Sequence, residues 1–260
     1  MKIIDTHCHL NDESLYKDVD NVITRALKAG VEKMIVVGWD AESSKLAIKL
    51  AEQYDFIYAV IGFHPENIFD INDEILYETL NLCSHNKVVG IGEIGLDYHW
   101  SKDPDKRELQ KQFFIKQIEF ANDHKLPISI HSREAFSDTL EILKMHKPLY
   151  GGVMHCYSGS VENINDIINL NLYIGLDGPV TFTNAKTPKE VAENVPLEKL
   201  VVETDCPYLS PHPLRGTINE PANICLTIDS IAEIRQMSKK HLLDVLYKNS
   251  CDLFNLWKYI

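Results

Sequence analysis

Basic residues are scarce in this chain: 26 Lys and Arg stand against 38 Asp and Glu, a formal net charge of −12 at pH 7. That balance argues against a protein that grips long duplex nucleic acid through its surface, because such binding needs Lys and Arg along the whole footprint. It does not exclude an enzyme acting at one phosphodiester or one strand end, since whole-chain charge is a poor guide to the field inside a pocket. There is no run of 18 uninterrupted apolar residues, so no membrane span is expected. No apolar leader precedes the first strand, which begins almost at Met1, so no removable signal is expected. The six cysteines, at 8, 83, 156, 206, 225 and 251, form no CxxC pair. Without a leader they read as reduced thiols of a cytoplasmic protein rather than as a disulfide framework. Gly/Ser linkers, low-complexity tracts and internal repeats are absent as well, and residues 1–260 are read as one domain.

What is present is an alternation of short apolar runs and amphipathic stretches from end to end. Strands are expected near 2–6, 32–37, 57–61, 88–93, 128–131, 151–155, 172–176 and 200–204. The stretch KDVDNVITRALKAG (17–30) places Val19, Val22, Ile23, Ala26 and Leu27 on one helical face and stops at Gly30. Residues 43–54, 72–83 and 106–124 keep the same rhythm, as do 134–146, 161–170 and 186–195. Eight strands alternating with helices predict a parallel sheet closed into a single (β/α)8 TIM barrel, and 260 residues suit that size. Segments 221–236 and 238–258 form a C-terminal helical cover. An open doubly wound sheet is the rival, but it would gather ligands at one switch point rather than at the ends of strands 1, 4, 5, 6 and 8.

Those strand ends carry the chemistry. In IIDTHCHL, strand alternation projects His7 and His9 to one face and turns Cys8 away, with Asp5 deeper on the same face as a structural carboxylate or one that orients a ligand imidazole. Glu93 closes the run VVGIGE between Gly92 and Gly95. A carboxylate there is costly unless it is paired or holds a cation; the choice lies between a salt bridge and a metal-bridging role. His131 in ISIHSRE and His155 in GGVMHCYSG close consecutive strands, either as satisfied buried imidazoles or as ligands. Asp205 follows Glu203 in VVETDCPYL, and alternation sets both on one face with Asp205 nearer the mouth. There it could hold a metal and accept the proton of an attacking water. His64 in GFHPE is stiffened by Pro65 and could bond a leaving group or a phosphate oxygen, with a structural imidazole as the alternative. Arg215 and Asn219 lie on the loop after strand 8, and the planar fork of an arginine suits a phosphate oxygen. Asp97 and Tyr98 sit beyond Glu93 within reach of a substrate, and Glu203 is placed with these substrate contacts. His85, His99, His124, His146 and His241 are read as surface residues without partners. Nitrogen and carboxylate donors meeting in one cavity mean divalent metal. Histidines favour zinc, while carboxylates tolerate magnesium or manganese.

With these residues in view, the chain resembles the TatD family of metal-dependent deoxyribonucleases, within the amidohydrolase superfamily. The resemblance rests on DTHCHL (5–10), GFHPE (62–66), GEIGLDY (92–98), HSREA (131–135), HCYSG (155–159), ETDCPYL (203–209) and RGTINEP (215–221), in order along nearly the whole chain. Tyr157 stands where the family usually has Phe, and Ser132 where the family varies. The resemblance implies a somewhat distorted barrel with two divalent ions, liganded by His7, His9, Glu93, His131, His155 and Asp205, with Glu93 bridging. It implies metal-assisted hydrolysis of a DNA phosphodiester, at single strands or strand ends, with Asp205 as general base and with His64 and Arg215 on phosphate oxygens. The partner is then a DNA strand end or another small phosphodiester. The alternatives are a hydrolase of carboxyl esters, lactones, amides or aminoacyl esters on the same site, and a metal-binding protein without turnover.

Overall fold

Val, Ile and Leu fill eight strands in a computed structural model that describes residues 2–259. They are β1 (Ile3–Cys8), β2 (Val31–Val37), β3 (Ile57–Ile61), β4 (Val88–Asp97), β5 (Ile128–Arg133), β6 (Gly152–Met154), β7 (Leu172–Leu176) and β8 (Leu200–Val202). Hydrogen bonds link them in chain order, and the ladders β1–β2, β3–β4, β4–β5, β5–β6 and β7–β8 are parallel. β1, β3 and β4 are buried at every position, as expected where both faces of a parallel sheet are covered. The segment after β8 returns to β1: Asp205 N–H donates to the His7 carbonyl (2.9 Å) and His9 N–H to the Cys206 carbonyl (2.8 Å). The Thr6 hydroxyl adds a bond to the Val202 carbonyl (2.9 Å). The fold is the expected (β/α)8 barrel, nearly closed.

Ten α-helices accompany the strands among the described residues: α1 (Glu13–Tyr16), α2 (Val19–Ala29), α3 (Ala41–Gln53), α4 (Asp73–Leu80), α5 (Pro104–Asp123), α6 (Phe136–Met145), α7 (Ile164–Asn169), α8 (Thr187–Asn194), α9 (Ile224–Ile234) and α10 (Lys239–Leu253). Their starts follow local chemistry. Asp40 and Ser43 form a reciprocal capping box on α3, Asn72 accepts from Ile75 N–H at α4, and Asp103 precedes Pro104 at α5. Gly30, at φ 96°, ends α2 in the left-handed region, as its sequence position implies. α9 and α10 are the expected C-terminal cover; α1 was not expected, and four residues are too few to show a period. No helix among the described residues is long and apolar enough to cross a membrane.

Contacts group the chain into two compact units, each assembled from separate segments. The first holds residues 2–36, 156–164 and 174–259; within it α10 packs on β1 and β8, and α9 on β8. The second holds residues 37–155 and 165–173; within it α3 packs on β3, α5 on β4 and α6 on β5. Phe114 of α5 is fully buried in this second core. Phe114→Ala is expected to destabilise the protein by about 3–5 kcal/mol. The check is urea unfolding, where the midpoint should fall with the slope unchanged.

Several strand ends differ from expectation: β1 and β5 run two residues further, to Cys8 and Arg133, and β4, β6 and β8 matter for the site. β4 runs on to Asp97, in register with β5 through Gly95 opposite His131 and Asp97 opposite Arg133. Gly95 makes this possible: its φ is +145°, and a Cβ there would fall 1.9 Å from the His131 carbonyl oxygen. β6 and β8 stop at Met154 and Val202, so His155, Glu203 and Asp205 stand on the segments that follow.

Candidate metal centre

In the first unit three donor atoms converge. His7 Nε2 and His9 Nε2 lie 3.2 Å apart, and Asp205 Oδ1 lies 3.7 and 3.4 Å from them. All three residues are nearly or wholly buried. Two ligands on one tetrahedral zinc, each about 2.0–2.1 Å from it, stand about 3.3 Å apart. The observed spacing and the donor types fit one divalent ion. Asp205 reaches this position through a backbone at φ 53°, fixed by its N–H bond to His7. Asp5 braces the same corner. Its carboxylate accepts from Thr204 N–H (3.0 Å), the Thr204 hydroxyl (2.6 Å) and, more weakly, His7 N–H (3.4 Å). Burial pushes the Asp5 carboxyl up to about 8, against the bonds from Thr204. Of the two roles expected for Asp5, these bonds to Thr204 and to the His7 backbone are those of a structural carboxylate.

In the second unit the imidazoles gather on Glu93. Its Oε1 lies 2.8 Å from His131 Nδ1, 3.1 Å from His155 Nε2 and 3.9 Å from His64 Nε2. His131 is also held from the other side, its Nε2 3.1 Å from Asp97 Oδ2. Burial opposes the charge on Glu93, but the imidazoles of His155 and His131 outweigh it and hold the carboxyl well below the usual carboxylate range. Burial likewise opposes charge on His131, and bonds to Asp97 and Glu93 reverse it, raising the imidazole above its ordinary value. A proton held between two carboxylates is what a cation would displace on binding. His64, Asp97 and His131 offer three donor atoms within 4.8 Å of one another. Asp97 is thus a candidate donor as well as the substrate contact that its sequence position suggested.

Burial, followed by the neighbouring His131, pushes His64 down to about 3, so the ring is neutral. Its Nδ1 accepts from Glu66 N–H (3.2 Å), which leaves the proton on Nε2 and makes that atom a donor.

The residues expected to touch substrate divide. Arg215 is exposed, with its guanidinium 4.1 Å from the centre of the Phe182 ring. Asn219 is fully buried: its Nδ2 donates to the Thr204 carbonyl (2.9 Å), and its Oδ1 accepts from Glu220 N–H (2.9 Å) and Asn223 Nδ2 (3.0 Å). It fastens its loop to the Thr204 corner. Glu203 is also fully buried, its Oε1 accepting from Cys156 N–H (2.5 Å), and Gly175 leaves the room it occupies. Tyr98 is buried too, its hydroxyl donating to Asp138 (2.7 Å) under the Arg107 guanidinium. Both side chains are engaged inside the protein. Four of the five histidines expected to lack partners have them: His85 meets Glu52 (3.1 Å), His99 meets Glu134 (2.6 Å), His146 meets Glu119 (3.1 Å) and His124 meets the Phe120 carbonyl (2.9 Å).

Comparison with known proteins follows the same lines. Residues 4–255 match the family model described as TatD related DNase. A Bacillus subtilis (strain 168) protein described as the uncharacterized metal-dependent hydrolase YabD is 44% identical over 255 residues, covering 98% of this chain and 99% of the relative. YcfH of Escherichia coli (strain K12), described in the same words, is 34% identical over 260 residues, covering 98% and 97%. Among solved structures, YjjV, a TatD homologue from Escherichia coli K12, superposes with a TM-score of 0.90 at 32% identity over 97% of this chain and 98% of that one.

Proposed function

This chain is a metal-dependent hydrolase of the TatD family, and from that premise we propose that it is a deoxyribonuclease that shortens single strands or strand ends. The observation that carries the reading is the family match over residues 4–255, whose description names a DNase. We assign His7, His9, Glu93, His131, His155 and Asp205 as the ligands of two divalent ions, zinc, magnesium or manganese. The donor groups described above support this assignment. When bound, such ions supply an activated water and positive charge for the attacked phosphate.

The side chains supply the rest. Asp205 accepts the proton lost by water as its oxygen bonds to phosphorus. His64, neutral and protonated on Nε2, donates to a phosphate oxygen or to the departing ester oxygen as the P–O bond breaks. Arg215, which makes no ion pair among the described residues, forks onto a second phosphate oxygen. The net charge of −12 disfavours a long duplex, so an end or a single strand is the substrate. The six free cysteines support a cytoplasmic setting for this enzyme.

The test is hydrolysis of end-labelled single-stranded DNA by chelator-stripped protein, with Mg²⁺, Mn²⁺ or Zn²⁺ restored. Strand shortening that needs the metal is the expected result. No cleavage with any of the three, together with turnover of a simple carboxyl ester, would move the substrate to neutral esters and overturn the nuclease.

A further inference from the structure

The segment leaving β4 carries Trp100, 65% exposed. An isolated exposed aromatic needs no explanation, but the neighbours of this one are unusual. Its backbone N–H donates to Asp97 Oδ1 (3.1 Å), beside that of His99 (2.9 Å), while Oδ2 of the same carboxylate holds His131. The loop is therefore fastened to the group of donors around Glu93. The His99 ring, pinned by Glu134, packs edge-on against Trp100 with centroids 4.7 Å apart and fixes the indole from one side. From β5, the Arg133 guanidinium lies 5.7 Å from the indole centre. Among the described residues Arg133 has no carboxylate partner. It stands two residues beyond His131 on the same strand, so alternation gives both side chains one face, about 6.6 Å apart along it.

An exposed indole beside an unengaged guanidinium matches the two parts of one nucleotide. Bases stack on aromatic faces whatever their identity, and arginine takes phosphate through its planar fork. We propose that Trp100 and Arg133 form a cradle for a single unpaired nucleotide next to the scissile phosphate, the base on the indole and the adjoining phosphate on the guanidinium. The proposal rests on the deoxyribonuclease reading and names what that reading leaves open: how the enzyme selects its nucleotide. A paired base already has both faces stacked, so the cradle favours single strands and frayed ends.

The test crosses protein with substrate. Wild type, Trp100→Ala and Trp100→Phe act on end-labelled oligonucleotides that carry one abasic residue at each of the terminal positions in turn. At one position, loss of the base should lower wild-type kcat/KM roughly ten- to a hundred-fold, the size of one stacked base. Trp100→Ala should show a similar loss on the intact strand and no further loss at the abasic site, and Trp100→Phe should recover part of it. Arg133→Met should weaken binding of every strand and reduce the salt slope by about one. Equal abasic penalties in wild type and Trp100→Ala overturn the cradle while leaving the nuclease intact. If wild type cleaves no DNA, the nuclease reading fails instead. Quenching of tryptophan fluorescence by single-stranded DNA in metal-free protein then decides the cradle: a signal lost in Trp100→Phe supports it, and no signal overturns it.

Discussion

Asp205→Asn lowers kcat by roughly 10²–10⁴-fold, the range for a lost general base, and leaves the fold unchanged. The amide has the shape of the carboxylate, and the backbone that places it is independent of the side chain. Residue 205 donates its N–H to the His7 carbonyl and accepts from Tyr208 N–H (2.9 Å). What disappears is the carboxylate oxygen 3.4 Å from His9 Nε2, the proposed proton acceptor. Steady-state hydrolysis beside elemental analysis of bound metal makes the check. A variant that keeps metal and more than a tenth of its activity would place the proton acceptor elsewhere.

Glu93→Gln is expected to act more broadly. One carboxylate oxygen gathers His131 at 2.8 Å and His155 at 3.1 Å, with His64 at 3.9 Å. An amide keeps the size but removes the charge that draws the imidazoles together. Bound divalent ion should fall by more than the 10–100-fold typical of losing an outer partner of a ligand, and hydrolysis should fall with it. The metal-free protein should lose about 3–5 kcal/mol, because a buried pair is broken from one side. His131 loses one of the two carboxylates that raise its pKa, so its protonation midpoint moves down. Calorimetric metal titration and imidazole NMR separate these effects. Unchanged metal affinity would remove Glu93 from the ligand set.

The sequence was most legible where chemistry is local. Alternation along β1 predicted His7 and His9 on one side, and the structure brings their Nε2 atoms within 3.2 Å. It failed for Glu203 and Asp205 because β8 ends at Val202, and alternation has no meaning outside a strand. The left-handed backbone of Asp205 depends on a bond to His7, which no local pattern announces. Asp97 looks like a substrate contact only if β4 ends at Glu93. With the strand continued to Asp97, Glu93 and Asp97 fall on the same side two alternations apart, a signal that GEIGLD already contains. Asn219, Glu203 and Tyr98 meet partners that the sequence does not announce, for a common reason. A polar residue near a predicted mouth looks available, and only the three-dimensional neighbours show that its bonds are already made.

The two donor groups also differ in when they can exist during synthesis. His64, Glu93, Asp97, His131 and His155 lie within the single stretch 37–155 of one compact unit, so the ribosome has delivered all of them by residue 155. The corner that Asp5 ties to Thr204 spans 199 positions and cannot form until the last strand has emerged and met the first. A nascent chain can thus carry one histidine–carboxylate group while the other is still divided between its beginning and residues not yet made. Domains generally fold as units, earliest segments first, and long loops close last. Premature termination anywhere between residues 155 and 205 would leave the first group fully encoded and the His7–His9–Asp205 group without its carboxylate.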